Sequence, residues 1–350
     1  MITEEKQMSS VFTRTGRRTI VLLAALATLA ALLAPGPAQA KSKRELTVMT
    51  QNLYLGASLA PALNPDFPGG LFGALPVIVD EFTRTDYVAR SAAIADEIAA
   101  AGPDLIGLQE VALWSFATGQ TVDFLDILEL QLAARGLSYS AEATSLNAEI
   151  VVPGAVTFRD RDVILVNQGT PGLVITGSDS GIYEAQFVVP GTPIGDISFT
   201  RGWALVDGTF EGKEFRFVNT HLETEDFAFF QEAQAVEFLA GPADTDRPVI
   251  AVGDFNSAAD GSTTDTYGLL TGSFRDTWGA NRRAPGPTCC QASDLANKKS
   301  ELNSRIDLVL TRDVAKTWPA KVVTDKRFQK KTAPFWASDH AGVVAVIQLG

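Results

Sequence analysis

Val249-Ile250-Ala251-Val252-Gly253-Asp254-Phe255-Asn256 runs from an unbroken apolar tetrad through one glycine into Asp and Asn. A short apolar run rich in β-branched residues and closed by glycine reads as a strand buried on both faces. The polar residues fall just past its end. Other segments repeat the form. Leu105-Ile106-Gly107-Leu108 leads into Gln109-Glu110, and Phe217-Val218-Asn219-Thr220 leads into His221. Leu46-Thr47-Val48-Met49-Thr50 alternates as a strand should and is followed by Asn52. Val163–Val166, Ile306–Leu310 and Gly342–Gln348 are further strands, with Asp307 opening one and Asp339-His340 preceding the other. Thr200–Thr209 and Glu214–Thr220 form a hairpin around Glu211-Gly212-Lys213. Between strands, Tyr87–Ala101 has helical spacing, with Ile94, Ile98 and Ala101 on one face and Gly102-Pro103 at its end. Phe124–Arg135, closed by Gly136, and Phe227–Leu239 are also helical. Pro61–Pro76 reads as a long loop, and the stretch from Asp126 to Gln186 carries no legible signature of function. Interleaved strands and helices predict one α/β domain without repeats or linkers.

Composition removes several classes. The 350 residues are 46% hydrophobic and 20% charged, enough apolar surface for a large core, which excludes disorder as the main state. Two cysteines, adjacent to each other, exclude a disulfide-built scaffold. With only two histidines as well, a Cys/His zinc fold is excluded. A net charge of −12 argues against a protein that coats nucleic acid by charge alone.

The first forty residues read as an address. Lys6, Arg14, Arg17 and Arg18 precede an apolar run, Ile20–Ala34; Pro35-Gly36-Pro37 breaks it, and Ala38-Gln39-Ala40 is an A-x-A cleavage site. This predicts a signal peptide over 1–40, cleavage after Ala40, and an exported domain over 41–350. Arg17-Arg18 is compatible with a twin-arginine signal. Residues 20–34 as a retained membrane anchor are the alternative; fifteen apolar residues are short for a span of about twenty.

The polar residues therefore cluster at strand ends, where α/β sheets assemble their sites, and both histidines of the chain are among them. Asn, Glu and several Asp are hard oxygen ligands suited to Mg²⁺, Mn²⁺ or Ca²⁺. Histidines next to Asp suit proton handling. Together these parts suit water attack on a phosphate ester.

Six motifs occur in order: Thr50-Gln51-Asn52, Leu108-Gln109-Glu110-Val111, Asn219-Thr220-His221-Leu222, Gly253-Asp254-Phe255-Asn256, Arg305-Ile306-Asp307 and Ser338-Asp339-His340. In this order they resemble the endonuclease/exonuclease/phosphatase superfamily, the DNase I-like phosphoesterases, from Leu46 to Ile347. The resemblance implies a four-layer α/β sandwich, two packed mixed β-sheets flanked by helices. It implies Glu110 as principal metal ligand, with Asn52 and Asp339 at the metal. It implies Asp254 at the attacking water, Asn256 on a phosphate oxygen, Asp307 paired with His340, and His340 on the phosphate. His221 would be the second histidine of the DNase-like and sphingomyelinase-like branches and a candidate general acid for the leaving oxygen, with the acid and base roles of His221 and His340 both open. Arg201, in Phe199-Thr200-Arg201-Gly202, stands where DNase-like members place a phosphate-contacting Arg. Of Asp160 and Asp162, Asp162 is expected to orient His221.

The resulting expectation is a secreted, monomeric, Mg²⁺-dependent phosphodiesterase with no obligate protein partner. Its substrate is a nucleic acid, a phospholipid headgroup or a small phosphoester. Phe67, Leu71 and Phe72 in the Pro61–Pro76 loop offer a lipid-facing surface or simply pack on the domain. A non-catalytic exported binding protein on the same fold is the alternative. Cys289-Cys290 lie in a loop with Asn281, Arg282, Arg283, Lys298 and Lys299; a vicinal disulfide, two thiols and an intermolecular bridge are all open.

Overall fold

The computed structural model describes residues 45–280 and 285–350. The expected signal peptide, the alternative anchor at 20–34 and residues Asn281, Arg282 and Arg283 lie outside the described residues. Among the described residues no helix is long and apolar enough to cross a membrane.

The strand Glu45–Asn52 runs inside the first sheet, antiparallel to Gly342–Gln348 on one side and parallel to Leu105–Gln109 on the other. Leu105–Gln109 pairs antiparallel with Val156–Asn167, which also carries Tyr139–Val152 and Leu113–Phe116. The second sheet has the spatial order Arg275–Asp276, Asp307–Arg312, Val249–Asp254, Lys213–His221, Gly202–Phe210, Leu173–Ile182. Only Lys213–His221 and Val249–Asp254 run parallel in it. Both sheets are therefore mixed.

Alternation along each strand sorts the side chains into layers. Leu46, Val48, Leu105, Ile164 and Val166 of the first sheet meet Ala204, Val206, Phe217, Ile250 and Val252 of the second. Met49, Ile106, Leu108, Val163 and Leu165 point the other way, onto the helices Gly70–Arg84, Tyr87–Ala101 and Phe124–Ala133. Val249, Ala251, Val218 and Leu308 face the helix Ala228–Ala240, which supplies Ala235 and Phe238. The result is the four-layer sandwich of the DNase I-like fold: helices, sheet, sheet, helices. Each fully buried Ile, Leu or Val contributes roughly 1.5–3 kcal/mol. A one-residue slip would send a whole row to the wrong layer, so the register is strongly specified.

Between the sheets, side chains of the second sheet press onto Gly107. A Cβ there would stand 2.5 Å from Val252 Cγ2 and 2.6 Å from Asn219 Oδ1. Beside it, Gln109 Nε2 donates to Asn219 Oδ1 at 2.6 Å, while Asn219 Nδ2 donates to Leu108 O at 2.9 Å. This buried polar link sits one residue below Glu110 and locks the two sheets in relative position at the site.

One expectation is corrected. Pro61–Pro76 is not a loop but holds the helix Ala60–Leu63 and the start of Gly70–Arg84, with Pro76 inside the latter. Proline removes one helical hydrogen bond, yet Leu71, Ala74, Ile78 and Phe82 form a buried stripe whose packing outweighs it. Phe67 packs against the core and Leu71 is buried, leaving Phe72 exposed.

Candidate active site

Strand register assembles the site. His221, Asp254 and Asp307 are direct partners across three neighbouring strands. In the other sheet Asn52 lies opposite Gln109, one residue before Glu110. Gly253 permits the tight row: its φ is 155°, and a Cβ there would stand 2.0 Å from Thr220 O. Glu110 and Asn256 leave their strands with φ of 55° and 51°. Such left-handed turns cost a non-glycine residue about 1–3 kcal/mol and accumulate where side chains must be aimed.

Asp254 is the hub. Its Oδ2 accepts from Asn52 Nδ2 at 3.1 Å and lies 3.6 Å from both His221 Nε2 and His340 Nδ1. Its Oδ1 accepts from the Asn256 backbone N–H at 3.0 Å. Burial, with Asp307 alongside, raises its carboxyl to about 6.

The two imidazoles differ. Burial opposes charge on His340, but Asp307, Asp254 and Asp339 outweigh it and hold the ring well above its ordinary range. The direct partner is Asp307 Oδ2, 2.9 Å from Nδ1. His340 is thus the ring whose charged form its neighbours favour. His221 is held well below its ordinary range by burial, then by Arg201 and His340. Arg201 Nη1 lies 3.1 Å from its Nδ1. A guanidinium can only donate, so Nδ1 accepts and the ring proton belongs on Nε2, facing Asp254. Asn256 Nδ2, also near Nε2, donates to Leu222 O at 2.9 Å.

Glu110 Oε2 accepts from the Leu55 N–H at 2.7 Å. Asp339 is pushed up to about 7 by burial, with repulsion from Glu110 and Asp254 set against attraction to His340 and Arg90. Glu110, Asp254, Asp307 and Asp339 thus outnumber the His340 imidazole and the Arg90 guanidinium that face them, and Asp307 Oδ1 is buried without a hydrogen bond. Ligand atoms of Asp254, Asp307 and His340 lie within 4.8 Å of one another. Surplus carboxylate, buried at Asp254 and Asp307 and half-buried at Glu110 and Asp339, fits a divalent cation.

This geometry has a counterpart in comparison with known proteins. Residues 49–340 match the Endonuclease/Exonuclease/phosphatase family. The chain belongs to that family. Its members are phosphoester hydrolases that generally depend on a divalent metal. No curated protein matches the sequence. Among solved structures, a family member from Bacteroides thetaiotaomicron is similar at TM-score 0.56 and 18% identity, over 87% of this chain and 95% of that one. The mannosyl-6-phosphatase of the same organism gives 0.54 and 18%, over 86% and 98%. Truncated Caenorhabditis elegans TDP2 gives 0.51 and 16%, over 87% and 97%. At these identities the likeness establishes the shared fold.

Within this family member, direct contacts bring together His221, Asp254, Asn256, Asp307, His340 and Arg201. Asn52 Oδ1 accepts from the Tyr54 N–H at 2.8 Å and its Nδ2 donates to Asp254. It orients the hub. Asp162 is a correction. No hydrogen bond joins it to His221, whose Nδ1 faces Arg201; its carboxylate is fully buried, with Asn147 as the side-chain partner. Burial and Asp160 raise its carboxyl well above the usual range. Arg201 is also held by Glu223 Oε1 at 3.2 Å.

Sequence reading missed two residues. Glu223 anchors Arg201. Arg90 is fully buried and donates to four carbonyls, those of Thr85, Leu53, Tyr54 and Ala337. It ties the loop after the first strand to the loop that carries Asp339. The signal was present: Arg90 lies four residues before Ile94, on the apolar face of Tyr87–Ala101.

Proposed function

We propose that this chain is an exported, Mg²⁺-dependent phosphodiesterase that cleaves its ester by water attack. The observation that carries the reading is the Asp254 hub, which stands between a cationic imidazole, a neutral imidazole and a group of surplus carboxylates. Glu110 and Asp339 would hold the divalent ion, whose charge polarises the phosphate and offsets charge developing on it. Mn²⁺ and Ca²⁺ suit the same donors.

Asp254, raised to about 6, is ionised at neutral pH yet basic enough to take a proton from water. Asn52 and the Asn256 N–H hold its two oxygens in place. His340 keeps Nδ1 on Asp307, so its Nε2–H is the proton available to the phosphate or the departing oxygen. His221 presents a neutral Nε2–H, a hydrogen-bond donor rather than an acid. Of the two histidines left open for the acid role, this reading assigns it to His340. A diester's alkoxide leaving group benefits from such a proton, which supports diester over monoester. Nucleic acid, phospholipid headgroup and small phosphoester are the substrate classes to screen.

The test is hydrolysis of bis-p-nitrophenyl phosphate beside p-nitrophenyl phosphate, with Mg²⁺, Mn²⁺, Ca²⁺ or EDTA, for wild type and Glu110→Ala. Metal-dependent diester cleavage lost in the variant supports the reading. Failure on these and on natural diesters and monoesters would favour a binding protein on this fold.

A further inference from the structure

Cys289 and Cys290 are joined as a disulfide, and Cys290 Sγ lies 3.8 Å from His340 Nε2. This is the nitrogen left free by Asp307. We propose that reduction of the disulfide turns Cys289, Cys290 and His340 into a site for a thiophilic ion such as Zn²⁺, and that its occupation switches the phosphoesterase off. The switching half rests on the function proposed above; the binding half does not.

Distances favour the site. Ligand atoms of the three residues lie within 4.8 Å of one another. Around tetrahedral Zn²⁺, with Zn–S about 2.3 Å and Zn–N about 2.0–2.1 Å, sulfur and nitrogen stand about 3.6 Å apart and two sulfurs about 3.8 Å. The observed sulfur–nitrogen separation is already within a few tenths of an ångström of that edge. Two sulfurs released from their bond move to van der Waals contact, close to the second edge.

The surroundings are built to hold these ligands still. Cys289 N–H donates to Ser304 O at 2.9 Å, and Asn303 N–H donates to Cys289 O at 2.7 Å. On the other flank, Gln291 N–H donates to Asp339 O at 2.8 Å and Ala341 N–H to Thr288 O at 2.7 Å. The cysteine loop is thus laced to both segments that carry Asp307 and His340. Asp307 on Nδ1 is the partner by which carboxylates orient zinc-binding imidazoles. Cys290 is exposed, so an external thiol can attack it.

The chemistry balances with a dithiol reductant. It closes its own disulfide and passes two electrons and two protons to Cys289 and Cys290. Ion binding then releases both thiol protons and the His340 Nε2 proton to solvent. Thiolate and imidazole select the soft ion, while the oxygen donors at Glu110 and Asp339 suit Mg²⁺. The soft ion would act by capturing the ring nitrogen that faces the phosphate.

The test uses the full chain, oxidised or reduced with dithiothreitol and then freed of it under argon, titrated with Cd²⁺ as the spectroscopic probe. Reduced protein should show a thiolate-to-cadmium ultraviolet band saturating at one ion per chain. The oxidised protein and C290S should not, and H340A should weaken binding at least tenfold. Zn²⁺ should abolish Mg²⁺-dependent diester cleavage in reduced wild type, but not in oxidised wild type or C290S, each read against its own rate without Zn²⁺. Absence of the band in reduced protein, its persistence in C290S, or equal Zn²⁺ inhibition in both redox states would overturn the proposal. A normal band in a protein with no phosphoesterase activity would overturn the function and leave the ion site standing.

Discussion

Arg201 Nη1 stands 3.1 Å from His221 Nδ1, so a cation rather than a carboxylate holds this imidazole. A carboxylate there would have stabilised the charged ring; the guanidinium disfavours it. Replacing Arg201 by Met and Glu223 by Gln together should raise the His221 pKa toward its ordinary range, read from ring resonances in an NMR titration. Arg201→Met alone leaves Glu223 buried and unpaired. It should cost about 3–5 kcal/mol in urea unfolding, and the double variant distinctly less.

The Asp307–His340 pair at 2.9 Å sets the opposite charge state. Asp307→Asn removes the strongest influence raising His340, so the ring loses its proton at lower pH. Diester turnover should fall on the order of 10²–10⁴-fold, and the alkaline limb of the remaining activity should move to lower pH. An unmoved limb would show that His340 does not supply the proton.

Glu110→Ala, Asp254→Ala and His340→Ala should each leave a folded protein with turnover reduced at least about 10²-fold. Circular dichroism checks the fold. Calorimetric Mg²⁺ titration separates them, because Glu110→Ala should weaken ion binding. Near-wild-type turnover in any one removes that residue from the mechanism.

Buried carboxylates make stability depend on pH. Burial raises Asp160, with Glu110 adding to the rise, and Asp339 to about 7, and Asp254 to about 6. The folded state therefore binds protons that the unfolded state does not, and this stabilisation is lost as pH rises through 6–7. His340, also raised, has the same sign; His221, lowered, opposes it only below its unfolded value near 6.5. Protein in EDTA should be more stable at pH 6.5 than at pH 8, on the order of 1 kcal/mol. Mg²⁺ at pH 8 should recover part of the difference. A flat melting profile would contradict the buried acidic cluster.

Arg90→Met should destabilise by more than about 3 kcal/mol in denaturant unfolding, because four carbonyls lose their donor in a buried site. It should also weaken Mg²⁺ binding, since the loops bearing Tyr54 and Asp339 lose their tie. Unchanged stability would mean that water replaces the guanidinium.

Local pattern made much of the fold legible. Tyr87–Ala101 is helical over the expected residues, with Gly102 closing it at φ 56°. The hairpin turns at Glu211-Gly212, both with positive φ. Pro61–Pro76 misled because proline and glycine read as breakers, while the buried stripe that overrides them becomes decisive only when a sheet lies beneath it. The fourteen-residue strand Tyr139–Val152 escaped because its alternation mixes small and polar residues and is bulged at two places.

The sequence by itself determined which residues stand at strand ends and that they are hard-oxygen ligands and histidines, because periodicity and residue chemistry are local properties. It also carried the motif order that places the chain in its family. Tertiary structure alone decided the partners: Arg201 and not Asp162 on His221, Asn52 on Asp254, Arg90 under the metal-side loops, Cys290 beside His340. Asn52 and Asp254 are 202 residues apart, and Arg90 and Ala337 are 247. Such meetings depend on how two sheets pack and register, a cooperative outcome of the whole apolar core. No short stretch of chain encodes them.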